Sequence, residues 1–297
     1  MGYLSGVTCL WAFSFSLIGV YLAGQVDAWF SVVVRVALAT LVFIPFLRLK
    51  GVSTSLIFKL IGIGAIQLGL MYGFYYQSFL YLTVPEVLLF TVFTPIYVAL
   101  THDILKRQFS PWYLVTAVIA VLGAVILKYA SPSEHFLFGF LVVQGANLCF
   151  ALGQVLYKVV IEDADVELKQ HTVFGLFFIG ALMVALPAFF MLGDMEKLPT
   201  NSTQWGILFY LGTIASGMGY FLWNKGATKV NAGALAAMNN ALVPAGIIVN
   251  VLIWNREADL VMLGIGSAVI VLSVWFNQKW VLKRQHNHGQ AVEEQVS

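Results

Sequence analysis

Long apolar stretches separated by short polar breaks run along almost the whole chain. Ten of them approach the length of about 20 apolar residues that a helix needs to cross a bilayer. We number them spans 1 to 10, at residues 3–23, 29–47, 57–79, 85–101, 111–128, 137–158, 172–192, 204–224, 231–254 and 260–281. The pattern predicts an all-α membrane protein with ten transmembrane helices.

The composition excludes a soluble alternative. Of the 297 residues, 60% are hydrophobic and only 10% are charged, whereas about 25% are charged in an ordinary soluble domain. Ten helices would use about 200 residues, so little chain remains for a soluble catalytic domain. The net charge is +2 and there is no dense stripe of Lys or Arg, which argues against a nucleic-acid partner.

Basic residues are distributed unevenly between the two sides of the predicted bundle. With the N-terminus in the cytoplasm, twelve Lys and Arg residues fall on cytoplasmic segments and three on external ones, and Arg35 lies within span 2. Lys and Arg accumulate on the cytoplasmic side of membrane proteins. We therefore expect a multi-pass protein of the cell (inner) membrane with both termini cytoplasmic, and a disordered polar tail at 285–297.

Short patterns recur with a period of roughly half the chain. Pro95 in span 4 matches Pro244 in span 9, and 116–119 in span 5 matches 267–270 in span 10. Because each half would hold five spans, an odd number, the second half must be inserted upside down. We predict two five-helix repeats of inverted topology, 1–130 and 134–284, an architecture that many secondary transporters use around a central site.

Polar side chains inside the apolar stretches should face the bundle interior or a wet cavity, because they are costly in lipid. Span 6 has the clearest stripe, since Gln144, Asn147 and Gln154 follow one helix face. Further candidates are Gln67 and Ser78 in span 3, Tyr210 and Tyr220 in span 8, and Asn240 in span 9. We predict that these residues bind the substrate; the alternative is that they bond neighbouring helices together.

Two prolines and one arginine complete the candidate set. Pro95 and Pro244 lack the N–H that would bond to the carbonyl four residues earlier, so we expect bends or substrate contacts there. Arg35 is the one charge well inside a span, about 9 Å along its helix. It either attracts an anionic substrate near the outer mouth, bonds to backbone carbonyls of another helix, or extends to the membrane surface.

Loose motifs run through both halves of the chain. They are the sequence Trp-Ala-Phe-Ser at 11–14, the Arg early in span 2, polar residues leading into a proline-bearing span in each half, and Glu257 after span 9. With these motifs, over about 1–282, the chain resembles the drug/metabolite transporter superfamily and, within it, the EamA family. The resemblance implies ten helices around a central cavity and the export or uptake of small metabolites.

The sequence favours a secondary transporter working by alternating access. No Asp or Glu lies deep in any span, so a proton-coupled exporter of lipophilic cations would lack its usual carboxylate. We expect export of small polar metabolites such as amino acids, carboxylates or amines, with no cofactor and no metal. The expected partners are a small-molecule solute and the lipid bilayer; the oligomeric state stays open, and a monomer would suffice.

Two other classes of protein are alternatives to a transporter. An intramembrane enzyme would need a catalytic motif such as His-Glu-x-x-His or Gly-x-Ser-x-Gly, and neither is present in the sequence. A receptor-type helix bundle would have seven spans. Neither alternative fits the ten spans and the duplication as well as a transporter does.

Overall fold

The computed structural model of the protein describes residues 2–105, 136–164, 169–230 and 232–254, and the single positions 261, 265, 268 and 272. Over these residues the chain is helical and contains no strand. Span 5, most of span 10 and the predicted tail at 285–297 lie outside the described part.

Seven helices within the described residues are long and apolar enough to cross a membrane. They are Gly2–Leu22, Ala28–Phe46, Thr54–Ser78, Glu86–Leu105, Phe136–Glu162, Gly175–Leu192 and Ser202–Ala227, which correspond to spans 1–4 and 6–8. A further helix, Ala232–Trp254, coincides with span 9. The chain is therefore an integral, multi-pass helical protein.

The outer surface of the bundle is apolar. Phe58 is 69% exposed, and Met191 is 80% exposed. Large apolar side chains at this exposure would be unfavourable in water, so this surface is the one that faces lipid.

Spans 3 and 8 share an interruption near the middle of the helix. Both change there from α-helix to π-helix and back again. The segments are Thr54–Gly64, Ala65–Leu70 and Met71–Ser78 in span 3, and Ser202–Tyr210, Leu211–Met218 and Gly219–Ala227 in span 8. Span 1 also ends in a π-helical segment, Ile18–Leu22, after Gly2–Leu17. Because π-helical turns are rare and occur frequently at functional sites, these spans indicate where a site is expected.

Span 4 is interrupted at Pro95. The α-helix Val84–Phe90 is followed by a 3₁₀ turn, Thr91–Phe93, and the α-helix resumes as Thr94–Leu105. In this turn the N–H of Thr94 donates to the carbonyl of Thr91, the group for which Pro95 has no N–H. In span 9 the α-helix Ala232–Trp254 continues through Pro244.

Spans 3 and 7 approach each other so closely that glycine is required at the contact. A Cβ atom on Gly64 would lie 1.8 Å from the carbonyl oxygen of Phe177. A Cβ atom on Gly180 would lie 1.8 Å from the carbonyl oxygen of Ile61. Small residues allow such backbone contact, which is how membrane helices gain packing energy in lipid.

Candidate functional site

A cavity lies in the middle of the bundle, and we call it the central cavity. Spans 1, 2, 3, 4, 6, 8 and 9 contribute to its wall. Most of that wall is apolar or aromatic, with a few polar groups such as Arg35 and Asn147. A mostly apolar and aromatic wall with a few polar groups is typical of sites that bind small molecules.

Arg35 lines the central cavity from span 2 and is only 2% exposed. Its Nε donates to Ser216 Oγ at 3.1 Å, and its Nη1 donates to Tyr76 Oη at 3.0 Å. Its Nη2 donates to Tyr72 Oη, and its Cζ lies 4.2 Å from the centre of the Tyr72 ring. No ion pair joins Arg35 to a carboxylate in the part of the chain that the structure describes. A buried cation with neutral partners is unfavourable, so an anionic ligand would supply the missing counter-charge.

The contacts of Arg35 differ from both structural alternatives, which are extension to the membrane surface and bonds to backbone carbonyls of another helix. The side chain is buried and does not extend to the membrane surface. Its hydrogen-bond partners are hydroxyl groups on spans 3 and 8, not backbone carbonyls of another helix. Arg35 therefore joins three helices and at the same time presents a positive charge to the central cavity.

The π-helix of span 8 supplies contacts to spans 1 and 2. Its Ser216 accepts from Arg35, and the carbonyl of Ala215 accepts from Nε1 of Trp11 at 2.8 Å. A Cβ atom at position 219 would lie 2.7 Å from that Nε1, so Gly219 gives the indole the room it needs. The interruption of span 8 thus positions the side chains that come from spans 1 and 2.

Aromatic rings surround the indole of Trp11. Its ring centre lies 5.7 Å from that of Phe150, 5.0 Å from that of Tyr220 and 5.1 Å from that of Trp223. Trp11, Phe150 and Tyr220 belong to the wall of the central cavity. Such a surface suits a ligand that carries a compact, weakly polar ring system.

Asn147 lines the central cavity and is 4% exposed. Its Nδ2 donates to the carbonyl of Phe90 at 2.7 Å and to Oε1 of Gln144 at 3.2 Å. The 3₁₀ turn before Pro95 makes this possible, because the N–H of Thr94 goes to Thr91 and leaves the Phe90 carbonyl to Asn147. With both donors in use, Oδ1 is the atom of Asn147 that can accept a hydrogen bond from a ligand.

Gln144 and Gln154, the other two amides of the span 6 stripe, contact protein groups. Oε1 of Gln144 also accepts from Tyr97 Oη at 3.2 Å. Gln154 lies outside the cavity wall, where its Oε1 accepts from Trp223 Nε1 at 3.0 Å and from Asn239 Nδ2 at 3.1 Å. Its Nε2 donates to Oδ1 of Asn239 at 3.3 Å. Gln154 therefore bonds span 6 to spans 8 and 9, which is the alternative to substrate binding.

The two candidates in span 3 are buried outside the cavity wall. Ser78 donates to the carbonyl of Tyr75 at 2.6 Å, a bond within its own helix. The side-chain nitrogen and oxygen of Gln67 have no hydrogen-bond partner among the described residues. Gln67 packs closely on span 6, since a Cβ atom added to Gly153 would lie 2.0 Å from the Cβ atom of Gln67.

The candidates in spans 8 and 9 have different positions. Tyr220 is in the cavity wall, whereas Tyr210 is half-buried outside it. The side chain of Asn240 lies outside the described part, and its neighbour Asn239 is in the wall.

Sequence reasoning missed the tyrosines that hold Arg35. Residues 72, 75 and 76 of span 3 are all Tyr, and this i, i+3, i+4 spacing places them along one helix face. Tyr72 and Tyr75 line the central cavity. A row of phenol groups within an apolar span was the signal available, since a buried Arg needs hydrogen-bond acceptors.

Comparison with known proteins gives consistent matches. Residues 1–129 and 137–277 match the family described as the EamA-like transporter family. A Pseudomonas aeruginosa protein named "Probable biotin transporter" is 54% identical over 278 residues, which is 94% of this chain and 97% of that protein. The "Biotin transporter" of Escherichia coli K12 is 48% identical over 285 residues, which is 96% of this chain and 95% of that protein. A solved crystal structure at 17% identity has the same fold, with a TM-score of 0.66 over 91% of this chain and 94% of that one.

Proposed function

Because the chain belongs to the EamA-like transporter family, we propose that it moves biotin across the membrane through the central cavity. The observation that carries this proposal is the buried guanidinium of Arg35, which lines the cavity with hydroxyl partners. Biotin has one carboxylate, which would neutralise that charge through charge-assisted hydrogen bonds.

The other parts of biotin also find matching groups in the wall. Its ureido ring carries two N–H donors, and Oδ1 of Asn147 is an acceptor that faces no described donor. The thioether ring fused to the ureido ring is compact and weakly polar, which suits the faces of Trp11, Phe150 and Tyr220. A site with one charged contact, one amide contact and aromatic walls would fix the orientation of the ligand.

The same wall narrows the solute classes expected from the sequence. An amine would be repelled by Arg35, because two positive charges would share a poorly solvated space. An amino acid would in addition need an acidic partner for its ammonium group, and the described wall contains no Asp or Glu. Of amino acids, carboxylates and amines, the carboxylates therefore suit the cavity best.

We also propose the inverted-repeat arrangement and alternating access. The π-helix of span 3 packs on span 7, and the π-helix of span 8 packs on span 2. Spans 3 and 8, like spans 2 and 7, have corresponding places in the two predicted repeats, so this pairing supports an inverted relation. Rocking of one repeat against the other would open the central cavity to each side in turn. The cell inner membrane, the cytoplasmic termini and the direction of export remain predictions.

Biotin transport is tested in cells that neither make biotin nor carry a biotin transporter of their own. Cells expressing the chain should exchange radiolabelled biotin with the medium faster than vector controls, and excess unlabelled biotin should suppress the exchange. Uptake by depleted cells and efflux from preloaded cells are measured separately, so the expected export is tested as well. Exchange equal to the vector control in both directions would exclude biotin as the substrate.

Replacing Asn147 by Leu should weaken biotin binding by roughly five- to 150-fold, which corresponds to about 1–3 kcal/mol for a lost hydrogen bond. Leu fills a similar space and is easier to insert into lipid. The matched variant Gln154→Leu removes an amide from the same helix outside the cavity, so it should lower the melting temperature with little change in Kd. If Asn147→Leu changes the melting temperature alone, Asn147 serves packing and not binding.

A further inference from the structure

A second cavity lies at the end of the bundle where spans 1 and 2 are connected, and we call it the mouth cavity. Its wall is formed by residues 23, 24, 26–28, 76, 77, 80, 194 and 197. The connections are tied together there, since the N–H of Asp27 donates to the carbonyl of Lys197 at 2.7 Å. The end of span 3 reaches this cavity through Tyr76 and Gln77.

One hydrogen bond joins the walls of the two cavities. Tyr76 lines the mouth cavity and Arg35 lines the central cavity. Nη1 of Arg35 donates to Oη of Tyr76 at 3.0 Å, and both side chains are buried. We propose that this Arg35–Tyr76 pair is the gate between the mouth cavity and the central cavity, and that a carboxylate ligand opens it.

The opening step follows from competition for the guanidinium. A carboxylate binds a guanidinium through two parallel N–H groups, and these charge-assisted bonds are stronger than a bond to a neutral phenol. In the closed state, Nη1 and Nη2 both donate to phenols, those of Tyr76 and Tyr72. A carboxylate that takes over Nη1 releases the ring of Tyr76, so the ligand favours the open state over the closed one.

Tyr76 and Tyr72 have different positions relative to the gate, although both bond to the same guanidinium. Tyr72 lies in the wall of the central cavity, and its Oη is also 2.9 Å from Ser216 Oγ. Tyr76 is the member of the pair that lines the mouth cavity. Loss of the Tyr76 hydroxyl should therefore open the passage, whereas loss of the Tyr72 hydroxyl should weaken the anion site and leave the passage closed.

The inference rests on the proposed function for the nature of the ligand, but its test needs no ligand. The reporter is Thr91→Cys in the wall of the central cavity, and the reference is Gln77→Cys in the wall of the mouth cavity. Both are made in a background in which Cys9 and Cys149 are replaced. A membrane-impermeant thiol reagent is added to sealed vesicles. Rapid labelling at Gln77→Cys identifies the vesicles in which the mouth cavity faces the reagent.

Labelling at Thr91→Cys from the mouth side should be slow with Tyr76 intact. It should become faster on the order of tenfold with Tyr76→Phe, the effect of one lost bond to a charged group. Tyr76→Ala, which removes the ring as well, should give the fastest labelling. Tyr72→Phe is the matched control and should leave the slow rate unchanged.

The outcomes test the gate separately from the proposal that biotin is the substrate. Equal labelling rates with Tyr76, Tyr76→Phe and Tyr76→Ala would overturn the gate, even if biotin is transported. Acceleration by Tyr72→Phe equal to that by Tyr76→Phe would also overturn it, because general loosening around Arg35 would then be the cause. Faster labelling with Tyr76→Phe alone, in a protein that moves no biotin, would support the gate and exclude biotin.

Discussion

Replacing Arg35 by Met should reduce biotin affinity by roughly 30-fold to several-thousand-fold. Truncating one partner of a buried, hydrogen-bonded charge pair costs about 2–5 kcal/mol, which gives this range. The fold should persist, because Met fills the space and removes a buried charge that has neutral partners in the described structure. The measurement is the Kd of purified protein for radiolabelled biotin.

Two comparisons separate the charge of Arg35 from its packing. Biotin methyl ester lacks the negative charge, so it should bind the unaltered protein much more weakly than biotin, and Arg35→Met should bind both equally. Arg48→Met is the matched control, since Arg48 is exposed and its side-chain Nη1 donates to the carbonyls of Pro45 and Leu47 in its own connection. An Arg35→Met protein that binds biotin as tightly as the unaltered one would refute the anion site.

The sequence predicted spans 1–4 and 6–9, the spans that the structure describes, because hydropathy depends directly on the solvent that surrounds each span. It predicted their ends less well. Span 4 was expected to end near residue 101, yet its helix Thr94–Leu105 continues through polar positions. Span 6 was expected over 137–158, and the helix Phe136–Glu162 continues to an ion pair between Lys158 and Glu162. The backbone hydrogen bonds of a helix can continue beyond the apolar stretch that lies in lipid. Hydropathy therefore locates the membrane-embedded part of a helix but not the end of the helix.

The family and the class of protein were also predicted correctly. The resemblance to EamA transporters is confirmed by the match over both halves, and the relatives are transporters and not enzymes. The sequence singled out no one solute, because solute selectivity depends on which groups share one cavity. Arg35 and its partner Ser216 are 181 residues apart in the chain, so no local pattern links them.

The candidate site was predicted only in part, for a physical reason. Polarity inside a span shows that a side chain avoids lipid, but a cavity and a neighbouring helix satisfy that requirement equally well. Asn147 and Tyr220 line the central cavity, whereas Gln154 bonds to Trp223, 69 residues away. Helical spacing selects the face that turns inward, and only the packing of the other spans decides what each residue on that face meets.

Replacing Gly64 by Ala should destabilise the bundle at the contact between spans 3 and 7. The added Cβ would lie 1.8 Å from the carbonyl oxygen of Phe177 and 2.5 Å from its carbonyl carbon. Both are backbone atoms, which do not rotate away as the end of a side chain can, so the two helices must separate. Overpacking of this kind costs about 1–3 kcal/mol, and a rigid backbone contact should place the cost at the upper end of that range.

Gly62→Ala is the matched control, two residues away on the same helix. A Cβ there would meet nothing within 4 Å, and the position is exposed on the outer surface. Because Ala is a better helix former than Gly, this control should leave the melting temperature unchanged or raise it slightly. Gly180→Ala tests the same contact from span 7, since its Cβ would lie 1.8 Å from the carbonyl oxygen of Ile61. The melting temperature in detergent should fall for Gly64→Ala and Gly180→Ala alone; values equal to that of Gly62→Ala would mean that spans 3 and 7 do not pack backbone to backbone.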